Sequence, residues 1–405
     1  MLMWTLFVGL AIGYTNADCV LSLPRFQFFA PLIFTVDGEL LPTDNFEENA
    51  RSITIPSNQD VILSCAPNYF KTPRLNSTKW LTAKCKSGNI FEVDGVEKSW
   101  TLDLGCEVRS VEEVLKSISG CPNEATSVEF GYENPVKRKS QVIGEACYSE
   151  NNGRTIFVHT KFDGNSSERS AVLETEGVNY LAQNHPDSLY KINFLLASRM
   201  DELNNRLEKL LSTKKVPFLA TRHLIDLPIL QNGQLYSALK LGWNYVISNG
   251  FDYLPNYDLL IKDIMGLSIK NFDLYLGTHS ILSLLNGERG DGIKTYLYLH
   301  PDEQKYPVPE YLWIVVTTES EKAVGFLISN NIDAEEADLI KNAPCQSKCA
   351  QLSWMSNLFE NDSYKKPKNG FVFCCELNEF MKKVTEMPSL EGQYSLLDRI
   401  SYRNI

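Results

Sequence analysis

The sequence predicts an α+β protein, in which a strand-rich N-terminal module tied by disulfides precedes a region that mixes sheet and helices. Residues 30–64 alternate apolar and polar side chains between turn residues, a pattern typical of short strands. Residues 186–211 instead carry apolar side chains three and four positions apart, which indicates one buried face of an amphipathic helix. The 405 residues, of which 43% are hydrophobic, suffice for two domains or one large one.

The first 17 residues have the character of a secretory signal. An apolar run over residues 2–13 is followed by Thr15, Asn16 and Ala17, which are small or polar residues typical of a cleavage site before Asp18. The run has no preceding Lys or Arg, and a buried N-terminal strand is the alternative interpretation. No other apolar run approaches the ~18 residues of a membrane span. We therefore expect a secreted, extracellular protein without a membrane partner.

The cysteines support that compartment. An even number of cysteines after a signal peptide predicts a disulfide framework, whose connectivity cannot be read from the spacing. A zinc site on the last four cysteines is the alternative, but adjacent cysteines span a tetrahedron poorly and thiols oxidise outside the cell. The ten residues are Cys19, Cys65, Cys85, Cys106, Cys121, Cys147, Cys345, Cys349, Cys374 and Cys375.

The second region is predicted to mix strands and helices. A strand is expected at residues 154–160, followed by the long helix, which begins near Pro186. Strands at 218–224 and 242–247 then precede a helix at 257–265. Further β-branched and aromatic runs predict strands at 273–277, 295–299, 312–317 and 323–328, and a short helix at 376–387. The chain therefore divides into a signal peptide (1–17), a β-rich module (18–125), a larger domain (126–390) and a tail (391–405).

Charge limits the kinds of partner that this chain can bind. The net charge of −11 and the pI of about 5.1 exclude a uniformly basic nucleic-acid binder, so phosphate contacts would need a local basic groove. One such cluster, Lys209, Lys214 and Lys215, stands against the single acid Glu208 between residues 206 and 222. An ordinary solvated helix end is the alternative interpretation. Sequons at Asn76, Asn165 and Asn361 predict surface glycans.

The segment FLATRHL at residues 218–224 resembles the FLARGHL-type motif of the DNA/RNA non-specific endonucleases, the ββα-metal or His-Me finger nucleases. Four further segments are similar to secreted insect members of that family: ACYSENNGRTIFVHT (146–160), YPVPEYLWIVV (306–316), CQSKC (345–349) and FVFCCELNEF (371–380). Within the family, the chain is similar to the tsetse-type salivary nuclease-like proteins of blood-feeding flies. The resemblance implies a ββα-metal core around a mixed or antiparallel sheet in the domain 126–390.

The resemblance also implies roles for individual residues. His223 stands at the position of the general base that activates water, while Thr221 and Arg222 replace the family's arginine and glycine. The family's Mg²⁺ is held mainly by one asparagine, and a one-residue shift in alignment gives that position to Asn256. Other alignments give it to Tyr253 or Tyr257, and tyrosine is a poor Mg²⁺ ligand. We therefore expect a degraded Mg²⁺ site and at most residual hydrolysis, with His223 as the general base.

These substitutions predict a protein that binds nucleic acid better than it cuts it. The expected partners are double-stranded DNA, single-stranded DNA and RNA, bound without strong sequence preference. Two alternatives stay open: an active Mg²⁺-dependent endonuclease with His223 as base, and a salivary scaffold for a host protein. The expected nucleic-acid contacts are Lys214, Lys215, Arg222, Lys240, Trp243, Tyr253, Tyr257 and Lys262.

Overall fold

The fold is taken from a computed structural model of the chain. It describes residues 17–23, 29–44, 52–107, 111–115, 120–122, 125–163, 173–175, 219–225, 227–230, 232, 234–235, 245–249, 254–267, 269, 271–285 and 294–398. The predicted signal peptide, apart from its last residue, and the predicted helix at 186–211 lie outside these ranges.

The N-terminal module is a small antiparallel β structure. Strands β2 (Leu32–Phe34), β4 (Asp60–Ser64), β5 (Trp80–Ser87), β6 (Ile90–Val93) and β7 (Val96–Ser99) form one sheet in that order, while β1 (Cys19–Ser22) pairs with β3 (Ser52–Ile55). The module has its own hydrophobic core, which contains Phe91 and Trp100. Two disulfides, Cys19–Cys85 and Cys65–Cys106, lie within this core. Short strands are therefore present within residues 30–64, as the alternation of apolar and polar residues predicted. A short helix, α1 (Trp100–Asp103), follows β7.

The rest of the described chain is built around one large sheet. Its strands are β8 (Glu112–Leu115), β9 (Thr126–Asn134), β10 (Lys139–Ser149), β11 (Arg154–Asp163), β12 (Leu173–Thr175), β15 (Asn271–Ile281), β20 (Pro309–Thr318), β21 (Lys322–Ser329), β22 (Val372–Cys375) and β23 (Ser395–Leu396). The antiparallel path runs β22-β21-β20-β15-β11-β10-β9-β8, with β12 beside β10 and β23 parallel to β21.

The remaining elements flank this sheet. The strands are β13 (Leu219–His223), β14 (Tyr245–Asn249), β16 (Ser283–Leu285), β17 (Lys294–Tyr296), β18 (Tyr298–His300) and β19 (Lys305–Pro307). The helices are α2 (Leu227–Leu230), α3 (Pro255–Met265), α4 (Glu336–Lys341), α5 (Ser356–Phe359) and α6 (Leu377–Lys383). The described chain is therefore strand-rich and mixed, as expected for the α+β class.

Both faces of the large sheet are buried. Successive residues of β20 show this, because they point to opposite faces of the sheet. Leu312 and Ile314 belong to one core, whereas Trp313 packs in a second core beneath α6. Phe380 of α6 lies against Gly325 so closely that a Cβ there would come within 2.4 Å of its ring. A glycine is needed at 325 because any side chain would displace that helix.

The disulfides decide between the two interpretations of the C-terminal cysteines. Cys345 is bonded to Cys375 and Cys349 to Cys374, so these thiols do not form a zinc site. The fifth bridge joins Cys121 to Cys147 at the start of the large sheet. The disulfide framework expected from the even count is confirmed.

The N-terminal module is joined to the larger domain by amide hydrogen bonds. The side chain of Gln234 accepts from Ile33 N (2.7 Å) and donates to Ile33 O (3.3 Å), so it extends the edge of β2 as a neighbouring strand would. Asn232 adds a bond to Leu41 O at 3.1 Å. These contacts, with Leu32 and Phe34 in the main core, fix the module against the domain.

Some element bounds differ from the expectation. The predicted strand at 295–299 is two three-residue strands separated by the buried Leu297, and the last helix ends at Lys383. Strand β8 pairs with β9 although it precedes residue 126, and β23 pairs with β21 although it follows residue 390. The large sheet therefore begins and ends outside the expected domain limits. Among the described residues, no helix is long and apolar enough to span a membrane.

Candidate functional site

The predicted site lies where a two-stranded sheet meets helix α3. Strands β13 and β14 are antiparallel, with His223 opposite Tyr245, and α3 follows β14 in the chain. The order strand, strand, helix is thus present in the described residues. Pro255 at the first turn of α3 favours helix initiation there because its missing N–H leaves no hydrogen bond unmade.

Arg222 is turned into the protein, and this corrects its prediction as a nucleic-acid contact. Only 7% of its side chain is exposed, its guanidinium pairs with the carboxylate of Asp258, and its Cζ lies 4.0 Å from the ring centroid of Tyr257. A third contact, from Nη1 to the Leu254 carbonyl, measures 3.5 Å. The side chain therefore clamps β13 to α3 instead of reaching toward a phosphate.

Tyr257 is likewise a core residue, so its prediction as a stacking platform is wrong. Its side chain is 1% exposed, and its hydroxyl donates to the carbonyl of Leu224 at 2.7 Å. One face of its ring is covered by the Arg222 guanidinium. A base cannot stack on a ring that is enclosed in this way.

Asn256 does not fit the expected role of a Mg²⁺ ligand. It is fully buried, and its Nδ2 donates to the carbonyls of Ser363 (2.8 Å) and Gly370 (2.7 Å). Its Oδ1, the atom that would hold a cation, accepts the Ser363 hydroxyl at 2.6 Å. The side-chain amide of Asn256 therefore binds the segment 363–370 to α3. Within the described ranges, no cluster of three or more His, Cys, Asp or Glu side chains could hold a metal.

A second buried polar group on α3 also serves the fold. The carboxylate of Asp263 accepts the backbone N–H groups of Asn357 (3.0 Å) and Leu358 (2.9 Å) and the side-chain amide of Asn357 (2.7 Å). These donors belong to the first turn of α5, where N–H groups lack helical partners. Helix α3 is therefore held at both ends by chain that follows β21.

His223 remains the candidate functional residue. Its side chain is half-buried at the last position of β13, and strand alternation directs it away from the face on which Arg222 packs. Histidine is the side chain that most often serves as a general acid or base in catalysis. Lys262 is exposed on α3 and accessible to a ligand. The other expected contacts, Lys214, Lys215, Lys240, Trp243 and Tyr253, lie outside the described residues.

Two of the three sequons can be placed. Asn76 and Asn361 are exposed, as a glycan would require, whereas Asn165 lies outside the described residues. Asn361 occupies a left-handed turn with φ of 56°, a conformation that asparagine tolerates.

The structure brings together two charged clusters that sequence reasoning missed. The carboxylate of Glu386 bonds to Arg154 (2.8 Å) and to Nδ1 of His279 (2.9 Å). Burial raises the pKa of Glu386, but these two partners outweigh burial and hold the pKa at about 2. Burial lowers the pKa of His159, but hydrogen bonds to Asp273 (2.8 Å) and Glu145 outweigh it and raise the pKa. Their partners lie far apart in sequence, so no local pattern indicates either cluster.

The comparisons with known proteins add no assignment. No family model matches the chain, and no curated protein is significantly similar to it.

Proposed function

We propose that this chain is a secreted nucleic-acid-binding protein derived from a ββα-metal endonuclease. It would bind double-stranded DNA, single-stranded DNA and RNA through their backbones, with residual hydrolysis or none. The observation that carries the proposal is the order β13, β14, α3, with His223 at the last residue of the first strand. The resemblance to salivary nuclease-like proteins suggests host nucleic acid at a feeding site as the target.

The weak catalysis that we propose is supported by what the neighbouring polar side chains do. Asn256 uses its amide inside the core, and Arg222 is paired with Asp258. Without a metal anchor or a free cation at these positions, His223 would act alone. General-base catalysis contributes ~10²–10⁴-fold, far below the acceleration that phosphodiester hydrolysis requires.

The binding that we propose must depend on local charge, because the whole chain carries −11. A backbone binder neutralises phosphates and releases their counterions, so its affinity falls steeply with salt. Five disulfides among the described residues support an extracellular setting, where nucleic acid from damaged cells is accessible.

A salt titration tests binding. Fluorescence anisotropy of a labelled duplex is measured as salt rises from about 50 to about 200 mM, a range over which six to ten phosphate contacts cost about 10³–10⁵ in affinity. A linear fall of log affinity with log salt is expected. Absence of duplex binding at the lowest salt would overturn the proposal.

A cleavage assay on the same preparation separates binding from turnover. Plasmid is incubated with Mg²⁺ and either the unaltered protein or His223→Ala. We expect slow or absent nicking, and His223→Ala removes whatever nicking there is. Fast cleavage that His223→Ala abolishes would instead establish the active endonuclease. Capture of a host plasma protein in the absence of nucleic acid, with no duplex binding, would favour the scaffold.

A further inference from the structure

A basic segment that sequence reasoning did not single out lies beside helix α3. Residues 364–370, YKKPKNG, carry three lysines in four positions and no acid; we call them the lysine segment. Lys365, Lys366 and Lys368 are all exposed. Two acids, Glu360 and Asp362, precede the segment, and Asp362 pairs with Lys365 at 3.2 Å. No described residue forms an ion pair with Lys366 or Lys368.

The lysine segment is held in a fixed conformation. Backbone N–H groups of residues 366, 369 and 370 each donate to a carbonyl three residues earlier, at 3.0, 3.0 and 2.9 Å. Asn369 donates to the Ser363 hydroxyl at 2.9 Å. Asn256 anchors the segment: its buried amide donates to the carbonyl of Ser363, the residue before the segment, and to that of Gly370, its last residue. Backbone entropy has therefore been lost on folding, before any ligand binds.

The anchor binds the segment to helix α3, which also contacts β13. Asn256 lies in the first turn of α3, two residues after Leu254, whose carbonyl accepts from Arg222 of β13. Leu254 also packs beside Gly370, where a Cβ would lie 3.2 Å from its side chain. The lysine segment is thus bound to the same helix that the Arg222 side chain joins to β13.

We propose that the lysine segment is a docking surface for the phosphate backbone of nucleic acid, with Lys366 and Lys368 as its principal contacts. The inference rests on the proposed function and adds where on the protein the nucleic acid is held. A fixed loop with exposed ammonium groups suits phosphate oxygens, which it can meet as point charges without base recognition. Lys365 contributes less because Asp362 partly neutralises it.

A charge-matched pair of variants tests the proposal. One variant replaces Lys365, Lys366 and Lys368 with glutamine, and the control replaces the exposed lysines Lys71, Lys341 and Lys382 with glutamine. Both lower the net charge equally, so only the location of the lost charge differs. Duplex binding is measured by anisotropy over a salt series on protein freed of N-glycans, and thermal unfolding checks that both variants are folded.

The lysine-segment variant should lose about tenfold or more in affinity at low salt, and the slope of log affinity against log salt should fall by up to about 2.7, or about 0.9 per phosphate contact. The control should keep most of the slope. Single variants at 366 and 368 should each lower the slope more than one at 365. Equal losses in both triple variants, or none in the lysine-segment variant, would overturn the inference while leaving the proposed function intact. If the unaltered protein does not bind duplex, the proposed function itself fails.

Discussion

The substitution Asn256→Asp separates a structural asparagine from a metal ligand. Aspartate keeps the acceptor for the Ser363 hydroxyl but cannot donate to the two carbonyls that Asn256 now bonds. The Ser363 carbonyl keeps a bond from Lys366 N, so that loss costs about 1 kcal/mol, whereas a buried Gly370 carbonyl without its donor costs about 1–3 kcal/mol. The sum is about 2–4 kcal/mol, and burial of an unpaired carboxylate adds several more.

Urea unfolding followed by tryptophan fluorescence, with and without Mg²⁺, measures this effect. We expect Asn256→Asp to lower the unfolding midpoint strongly, and Mg²⁺ not to restore it. Lys262→Gln, an exposed change on the same helix, should stay within about 0.5 kcal/mol of the unaltered protein. A carboxylate is a stronger Mg²⁺ ligand than an amide. Unchanged stability in Asn256→Asp, or stabilisation by Mg²⁺, would therefore refute the structural role.

Three further predictions concern the two charged clusters and the Arg222 contact. Glu386→Gln should lower the thermal midpoint at neutral pH. His279 and Arg154 hold the folded pKa of Glu386 at about 2, so the stabilisation that its carboxylate contributes is present above pH of about 4.5 and is lost as pH falls toward 2. A Glu386→Gln variant whose midpoint falls with acid as that of the unaltered protein does would contradict this. The pKa of His159 is raised, so its stabilisation is complete below pH of about 6.5 and is lost as pH rises through the folded pKa; His159→Gln should flatten that part of the midpoint-against-pH curve. Arg222→Ala should cost about 1–2 kcal/mol in unfolding free energy and leave duplex affinity unchanged, whereas loss of affinity with unchanged stability would return that side chain to the binding surface.

Local sequence patterns predicted the elements whose signals are local. The β-branched run that became β20 is buried on both faces, and the turn-bounded alternation before residue 64 became β2, β3 and β4. These features need only the near neighbours of each residue, which is why the sequence alone was enough.

The role of Asn256 could not be predicted in that way. Its partners Ser363 and Gly370 lie 107 and 114 residues further along the chain, and only the completed fold brings them beneath α3. A polar residue after proline has the same local signature whether it caps a helix, binds a metal or anchors a distant loop. The pairing of Arg154 with Glu386, 232 residues apart, was hidden for the same reason.

Under the proposed function, the buried position of Asn256, the predicted Mg²⁺ ligand, affects binding and cleavage differently. An asparagine that faces a groove can hold Mg²⁺, but Asn256 is turned inward and fixes the lysine segment to α3. Asn256 thus fixes the backbone of a segment with three exposed ammonium groups instead of presenting an acceptor to a cation. Because a bound Mg²⁺ and fixed lysines both neutralise phosphate charge, such an exchange would retain attraction for the backbone while removing the Lewis acid needed for turnover. Under the proposed function, weak hydrolysis and retained binding would both follow from the way this one buried amide is used.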